Sequence, residues 1–170
     1  MNNPKLLVIG HGRHGKDTVC EILRDKYGYT FESSSRFCSK LFIFDDLRSV
    51  YGYMNEQECY DDRHNHRAEW YDAICSFNIP NAAALGTAIL GRYDIYCGLR
   101  NKREMFALQN TNAYDYAIWV DRSEHLPPES KDSMSLEQWM ADFTIDNNGS
   151  LEDLEYNLDQ LMSTIHDQTS

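Results

Sequence analysis

A glycine-bracketed run, Gly10-His11-Gly12-Arg13-His14-Gly15-Lys16, lies directly between the apolar segment Leu6-Leu7-Val8-Ile9 and a stretch patterned as a helix by Val19, Ile22, Leu23 and Tyr27. The chemistry open to such a run is anion binding. Glycine lets the backbone curl so that successive N–H groups point into one concavity, and a helix starting at its rim adds the positive end of its dipole. Lys16 then reaches the outer phosphates of a nucleoside triphosphate, and ATP with Mg2+ is the expected ligand. A standard loop of this kind follows its lysine with Ser or Thr to hold the metal, whereas here Asp17 comes first and Thr18 second. Asp17 is therefore a candidate for binding Mg2+, directly or through water, or for positioning an acceptor hydroxyl, and Thr18 for a phosphate contact. The alternative for Asp17 is a plain electrostatic complement to the helix N-terminus.

Side chains suited to a second phosphate recur further along. Arg36 closes the run Ser33-Ser34-Ser35-Arg36 just after a strand-like segment, where α/β proteins place ligands, so Ser34 and Arg36 are candidates to hold an acceptor. Arg63 and Arg67 are expected one helical turn apart, which would let both guanidiniums converge on one phosphate. Arg100 follows another strand, with Glu104 as the partner that would orient it. Trp70 can stack on an acceptor base or pack in the core. His64 and His66 beside Asp61 and Asp62 suggest a metal, but helical positions two apart face different directions, and the spacing argues against one.

The elements that must position these residues follow from periodicity. Strand-like runs at 6–9, 29–32, 94–98, 116–120 and 143–146 alternate with helical patterns, which predicts a parallel sheet covered on both faces. One helix is expected over 35–51, with Phe37, Leu41, Phe44, Leu47 and Tyr51 on one stripe. Another covers 56–74 with a break near Asp61-Asp62, and a third starts after Pro80. Asn101 with Glu104 reads as a capping box, and Ser150 as the cap of a last helix whose Leu151, Leu154, Leu158, Leu161 and Ile165 share a face.

With 170 residues, 42% of them hydrophobic, the chain supports one core and is expected to be a single domain over 1–170. A net charge of −11 repels polyanions, so stable nucleic-acid binding is not expected, whereas small phosphates in a focused pocket are compatible with it. No apolar run reaches membrane-spanning length, and Met1-Asn2-Asn3-Pro4-Lys5 leads straight into the first strand, so a cytoplasmic protein without membrane association is expected. The five cysteines are scattered singly and read as reduced thiols.

The loop G-x-x-x-x-G-K-D-T, together with Y-T-F-E-S-S-S-R-F at 29–37, D-R-H-N-H-R-A-E-W-Y-D-A-I at 62–74 and F-T-I-D-N-N-G-S-L-E-D-L at 143–154, resembles the deoxynucleoside monophosphate kinases of bacteriophages and their relatives in the P-loop kinase superfamily. The resemblance implies a three-layer α/β fold whose five-stranded parallel sheet has the order 2-3-1-4-5. It also implies a helical acceptor-binding insert over 35–92 and a short lid over 121–135. It implies transfer of the γ-phosphoryl group of ATP to a nucleoside monophosphate, with a homodimer compatible. Gly10, Gly12, Arg13, His14, Gly15, Lys16, Asp17 and Thr18 would hold the donor phosphates, and Asn147-Asn148 the adenine. Ser34, Arg36, Arg63, Arg67 and Trp70 would hold the acceptor, while Arg100 and the lid residue Arg122 would stabilise the transferring group. Gly98 stands where related kinases often carry a strand-end acid, which raises the interest of Asp17. Two other readings remain: a kinase of the same type acting on a hydroxyl, such as that of a modified base in phage DNA, and a non-catalytic nucleotide-binding protein.

Overall fold

The computed structural model describes residues 2–170. Strands Leu6–Ile9 (β1), Phe31–Ser33 (β2), Ile95–Cys97 (β3), Tyr116–Asp121 (β4) and Phe143–Asp146 (β5) form one sheet in the order β2-β3-β1-β4-β5, and every neighbouring pair is parallel. β1 lies at the centre and is wholly buried, which explains why its four residues are apolar without alternation.

Alternate side chains of the strands feed two cores. Leu6, Val8, Ile95, Ile118, Val120 and Ile145 pack against Lys16–Tyr27 (α1) and Leu151–Thr169 (α8). Leu7, Ile9, Tyr96, Ala117 and Trp119 face the other way, toward a helical layer between β2 and β3. That layer comprises Ser34–Cys38 (α2), Phe44–Tyr51 (α3), Glu56–Asp61 (α4), Arg67–Phe77 (α5) and Ala84–Leu90 (α6), and it is extended by Lys102–Asn110 (α7). The helices end where their residues demand it. Gly28 closes α1 at φ 74°, and Ser150 with Asp153 forms a reciprocal capping box at α8, with N–H to oxygen distances of 3.1 and 2.9 Å.

Three local expectations are corrected. A π turn at Ser39–Ile43 joins α2 to α3, and its extra residue rotates the later face. Ile43 is buried in consequence, while Leu41 and Tyr51, expected on the buried stripe, are 44% and 39% exposed. The break in the next helix is larger than foreseen: Asp62–Asn65 forms a 3-10 turn, and His66, at φ −130° and ψ 38°, separates it from α5. Arg63 and Arg67 therefore do not stand one turn apart on a continuous helix.

The third correction concerns Glu104. Asn101 does cap α7, accepting from the N–H groups of Arg103 and Glu104 at 2.8 and 3.2 Å. The Glu104 carboxylate, however, turns into the protein and accepts from the Tyr96 hydroxyl at 2.9 Å, so it neither completes a capping box nor orients Arg100. Burial pushes its carboxyl up to about 7, opposed by hydrogen bonds from Tyr96 and Asn78.

Candidate phosphate-binding site

The carboxyl ends of all five strands open on one edge, and most of the predicted site residues follow them directly: the loop 10–15 after β1, Ser34 after β2, Arg100 after β3, Arg122 after β4 and Asn147-Asn148 after β5. The loop needs its glycines for two separate reasons. Gly10, at φ 146°, lies so close to β4 that a Cβ there would meet the Val120 carbonyl oxygen at 2.6 Å. Gly15, at φ 103°, is the left-handed residue from which α1 starts. Arg13 shares the left-handed region at φ 63° and leaves its side chain exposed.

Lys16 folds back across the loop and donates to the carbonyl oxygens of Gly10 and His11 at 2.9 and 2.8 Å. Burial, and then the neighbouring Arg100, lower its pKa from the ordinary lysine value. Around it the loop is braced from β4 and β5. His14 is buried, and its Nδ1 accepts from the Arg122 N–H at 3.0 Å. The Asn147 side chain, also buried, donates to the His14 carbonyl oxygen at 2.9 Å, and the Arg122 guanidinium donates to the Asn147 carbonyl oxygen at 2.6 Å. Because Nδ1 of His14 accepts, its proton sits on Nε2, and this donor has no partner among the described residues. His14 thus serves the loop as an internal brace through Nδ1 and its carbonyl oxygen. Arg122 is likewise anchored beside the turn after β5.

Asp17 is exposed on the first turn of α1, and its Oδ1 is 3.5 Å from the Cys97 thiol at the end of β3. No group of three or more His, Cys, Asp or Glu side chains suited to a metal occurs among the described residues. One free carboxylate beside a phosphate loop fits Mg2+ shared with phosphate oxygens, the usual manner for that ion, and not a cage built of protein alone. Thr18 follows on the same turn.

The residues expected to bind the acceptor are brought together only in part. Arg36 and Arg63 both pack on the ring of Tyr60, with guanidinium carbons 4.4 and 3.8 Å from its centroid. Arg36 is also paired with Glu56 at 2.9 Å and hydrogen-bonded to Gln57 at 2.8 Å, while Arg63 donates to the Tyr60 carbonyl oxygen at 2.8 Å. Arg67 lies exposed at the start of α5 and makes no ion pair among the described residues. Trp70 is 4% exposed in the core, so its ring does not offer a face to a base. Ser34 starts α2, with its hydroxyl near that of Tyr96. The histidines of this region satisfy local needs: His66 pairs with Asp62 at 3.0 Å and stacks on Tyr51 at 4.0 Å.

Two residues not singled out in the sequence join the predicted side chains to one another. Tyr60 is the platform that joins Arg36 to Arg63. Glu129, in the loop after β4, reaches back to hydrogen-bond Arg100 and lies against Gly12, where an added Cβ would be 2.7 Å from its Oε1. Its backbone N–H donates to His11 Nδ1 at 3.1 Å. The partner of Arg100 is thus twenty-nine residues away, where no helical spacing points to it.

No family model and no curated protein sequence matches the chain. Solved structures do. A shikimate kinase from Aquifex aeolicus superposes with a TM-score of 0.55 at 11% identity, covering 96% of this chain and 98% of that one. The protein TT1252 from Thermus thermophilus gives 0.52 at 18% identity, and a shikimate kinase from Bacteroides thetaiotaomicron gives 0.51 at 11%, each over 96% of this chain and 98% of the other. The chain shares its fold with these shikimate kinases. At these identities the likeness speaks for architecture alone.

Proposed function

We propose that the protein is an ATP-dependent P-loop kinase that phosphorylates a nucleoside monophosphate. The observation that carries this reading is the phosphate loop itself, with Lys16 laid across it and Arg100 beside it at the open end of a parallel sheet. Lys16 and the loop amides hold the β- and γ-phosphates of ATP, and Asn147-Asn148 with Arg122 line the adenine side. Asp17 would hold Mg2+, which would supply charge neutralisation on the donor. Transfer of this kind rests on positioning and electrostatic stabilisation more than on covalent help, and Arg100 is the guanidinium best placed to supply the latter. Arg36 and Arg63, joined through Tyr60, are assigned to the acceptor phosphate, which would exchange Glu56 for substrate as the partner of Arg36.

A second reading is favoured by Asp17, whose carboxylate accepts a hydrogen bond from the Cys97 thiol and is otherwise exposed. In a kinase acting on a hydroxyl, that carboxylate is free to accept the proton the hydroxyl loses. Labelled ATP incubated with a mixture of deoxynucleoside monophosphates and with DNA carrying hydroxymethylated bases separates the two. Label in diphosphates is the expected result. Label in the polymer with none in diphosphates replaces the first reading by the second, and no transfer to either acceptor removes both.

A further inference from the structure

The loop between β4 and β5 ends on the phosphate loop in an unusual way: it delivers an anion. The Glu129 carboxylate hydrogen-bonds Arg100 and lies over Gly12 so closely that a side chain there would strike it, while the Glu129 N–H is fixed to His11 at 3.1 Å. The groups that hold its charge are those a terminal phosphate would use: Arg100, the Gly12 backbone N–H and Lys16, which together keep its carboxyl below the usual glutamate range against the opposing effect of burial. We propose that the segment Pro127–Ser133 is a self-inhibiting latch, in which Glu129 takes the place of the terminal phosphate on the loop and occupies Arg100 until a triphosphate displaces it. This rests on the reading of residues 10–16 as a triphosphate site.

The surroundings are built for such a motion. Upstream, His125 fixes the loop to the turn after β5 through its contact with the Asn148 carbonyl oxygen at 2.6 Å. Downstream, Met134 and Leu136 are buried, the Ser135 N–H donates to the Arg100 carbonyl oxygen at 3.0 Å, and the Lys102 N–H donates to the Ser135 hydroxyl at 2.8 Å. Between these anchors Pro127, Pro128 and residues 130–133 are exposed, and a cavity of about 640 Å3 lies between the loop and the sheet, lined by His11, Trp119, Glu129, Met134 and Met140. The segment can lift without unpacking a core, because it contributes no buried apolar side chain of its own.

Two anions cannot share these donors. A terminal phosphate carries more charge and one more acceptor oxygen than a carboxylate, so it displaces Glu129, and part of its binding free energy is spent on opening the latch. Displacement frees Arg100 for the transferring group at the moment the donor arrives. The binding-competent state is therefore a fraction of the population, and removing the charge of Glu129 enlarges that fraction.

The test titrates inorganic tripolyphosphate, which has no base or acceptor to confuse the result, into the wild-type protein, E129Q, E129A and K16A by calorimetry. The expected result is binding to E129Q and E129A about tenfold tighter than to wild type. Trypsin cleavage after Lys131 in the wild-type protein should also accelerate once tripolyphosphate is present. If wild-type binding is abolished by K16A but is unchanged or weakened in both Glu129 variants, the latch is overturned while the phosphate site stands; Glu129 then assists the ligand. If tripolyphosphate binds none of the four proteins, the triphosphate site and the latch fall together.

Discussion

Around the phosphate loop, polar groups from different elements are fixed on one another: Lys16 on Gly10 and His11, His14 on Arg122, Asn147 on His14, and Arg122 on Asn147. In the helical layer between β2 and β3, two of the arginines expected to meet an acceptor, Arg36 and Arg63, are instead held by local partners, Glu56, Gln57 and Tyr60, at or near the surface. Apart from Glu129 on Arg100 and Gly12, the first region is organised before any ligand arrives, whereas the second must exchange most of its protein contacts for substrate contacts. The difference follows from position. The loop is pinned between the central strand and its neighbours, where an unpaired donor is costly, whereas α4 and the turn after it lie where water and flexible side chains offer substitutes at little cost.

The comparison breaks most decisively at Lys16. K16A should stay folded, as judged by circular dichroism, and lose phosphoryl transfer by about a thousandfold, because its charge acts where negative charge is concentrated and it contributes nothing to a core. Turnover near the wild-type rate in a folded K16A protein would remove the donor assignment.

The acceptor side should respond to pH before the donor side does. Glu104 has its carboxyl pushed from 4.5 to about 7, so the folded chain keeps a proton that the unfolded chain has lost. Its contribution to stability is then complete below about pH 4.5 and is lost as pH rises through about 7, a change on the order of 3 kcal/mol. Thermal melts of wild type and E104Q between pH 5 and 8 check this, and the variant should lack that fall. Since Glu104 also touches Asn78 and Tyr96, under the start of the helical layer, the KM for the acceptor should rise with pH in the wild-type protein before the affinity for ATP changes.

N147A sharpens the contrast from the other end. Removing a buried donor leaves the His14 carbonyl oxygen unpaired, and the expected cost is about 2 kcal/mol of stability with weaker ATP binding and an unchanged KM for the acceptor. The smallest effect is expected at the Tyr60 platform. R63A should raise the KM for the acceptor about tenfold with little effect on ATP, and steady-state kinetics with each substrate varied in turn will show it. A selective effect on ATP would move this part of the insert to the donor side.

How legible the protein is in its sequence differs between the same two regions. The phosphate loop, its glycines and the helix after it are written in consecutive residues, because backbone curvature and a helix start are local matters. The five strands and their covering helices follow from periodicity, and the observed sheet order is the one implied by the family resemblance. The arginine pair of the insert departs from its expected shared face for a local reason with a non-local cause. Spacing of four means a shared face only while the helix continues, and it does not continue past Asn65, where Tyr53 and His66 both bind Asp62, at 2.7 and 3.0 Å. Trp70 illustrates the limit of residue type: the same ring serves a base or a core, and only its burial decides.

What the sequence determined by itself is therefore the glycine-rich turn from β1 into α1, the parallel three-layer plan and the N-caps at Asn101 and Ser150, all of which are set by periodicity and near neighbours. The tertiary structure alone decided which charges meet. It placed Glu104 under Tyr96 and away from Arg100, joined Arg36 to Arg63 through Tyr60, turned His14 inward against the N–H of Arg122, and laid Glu129 on Gly12 and Arg100. Such pairings join residues far apart in the chain or across breaks in a helix. They are set by how layers pack on the sheet, and side-chain spacing carries no record of that packing.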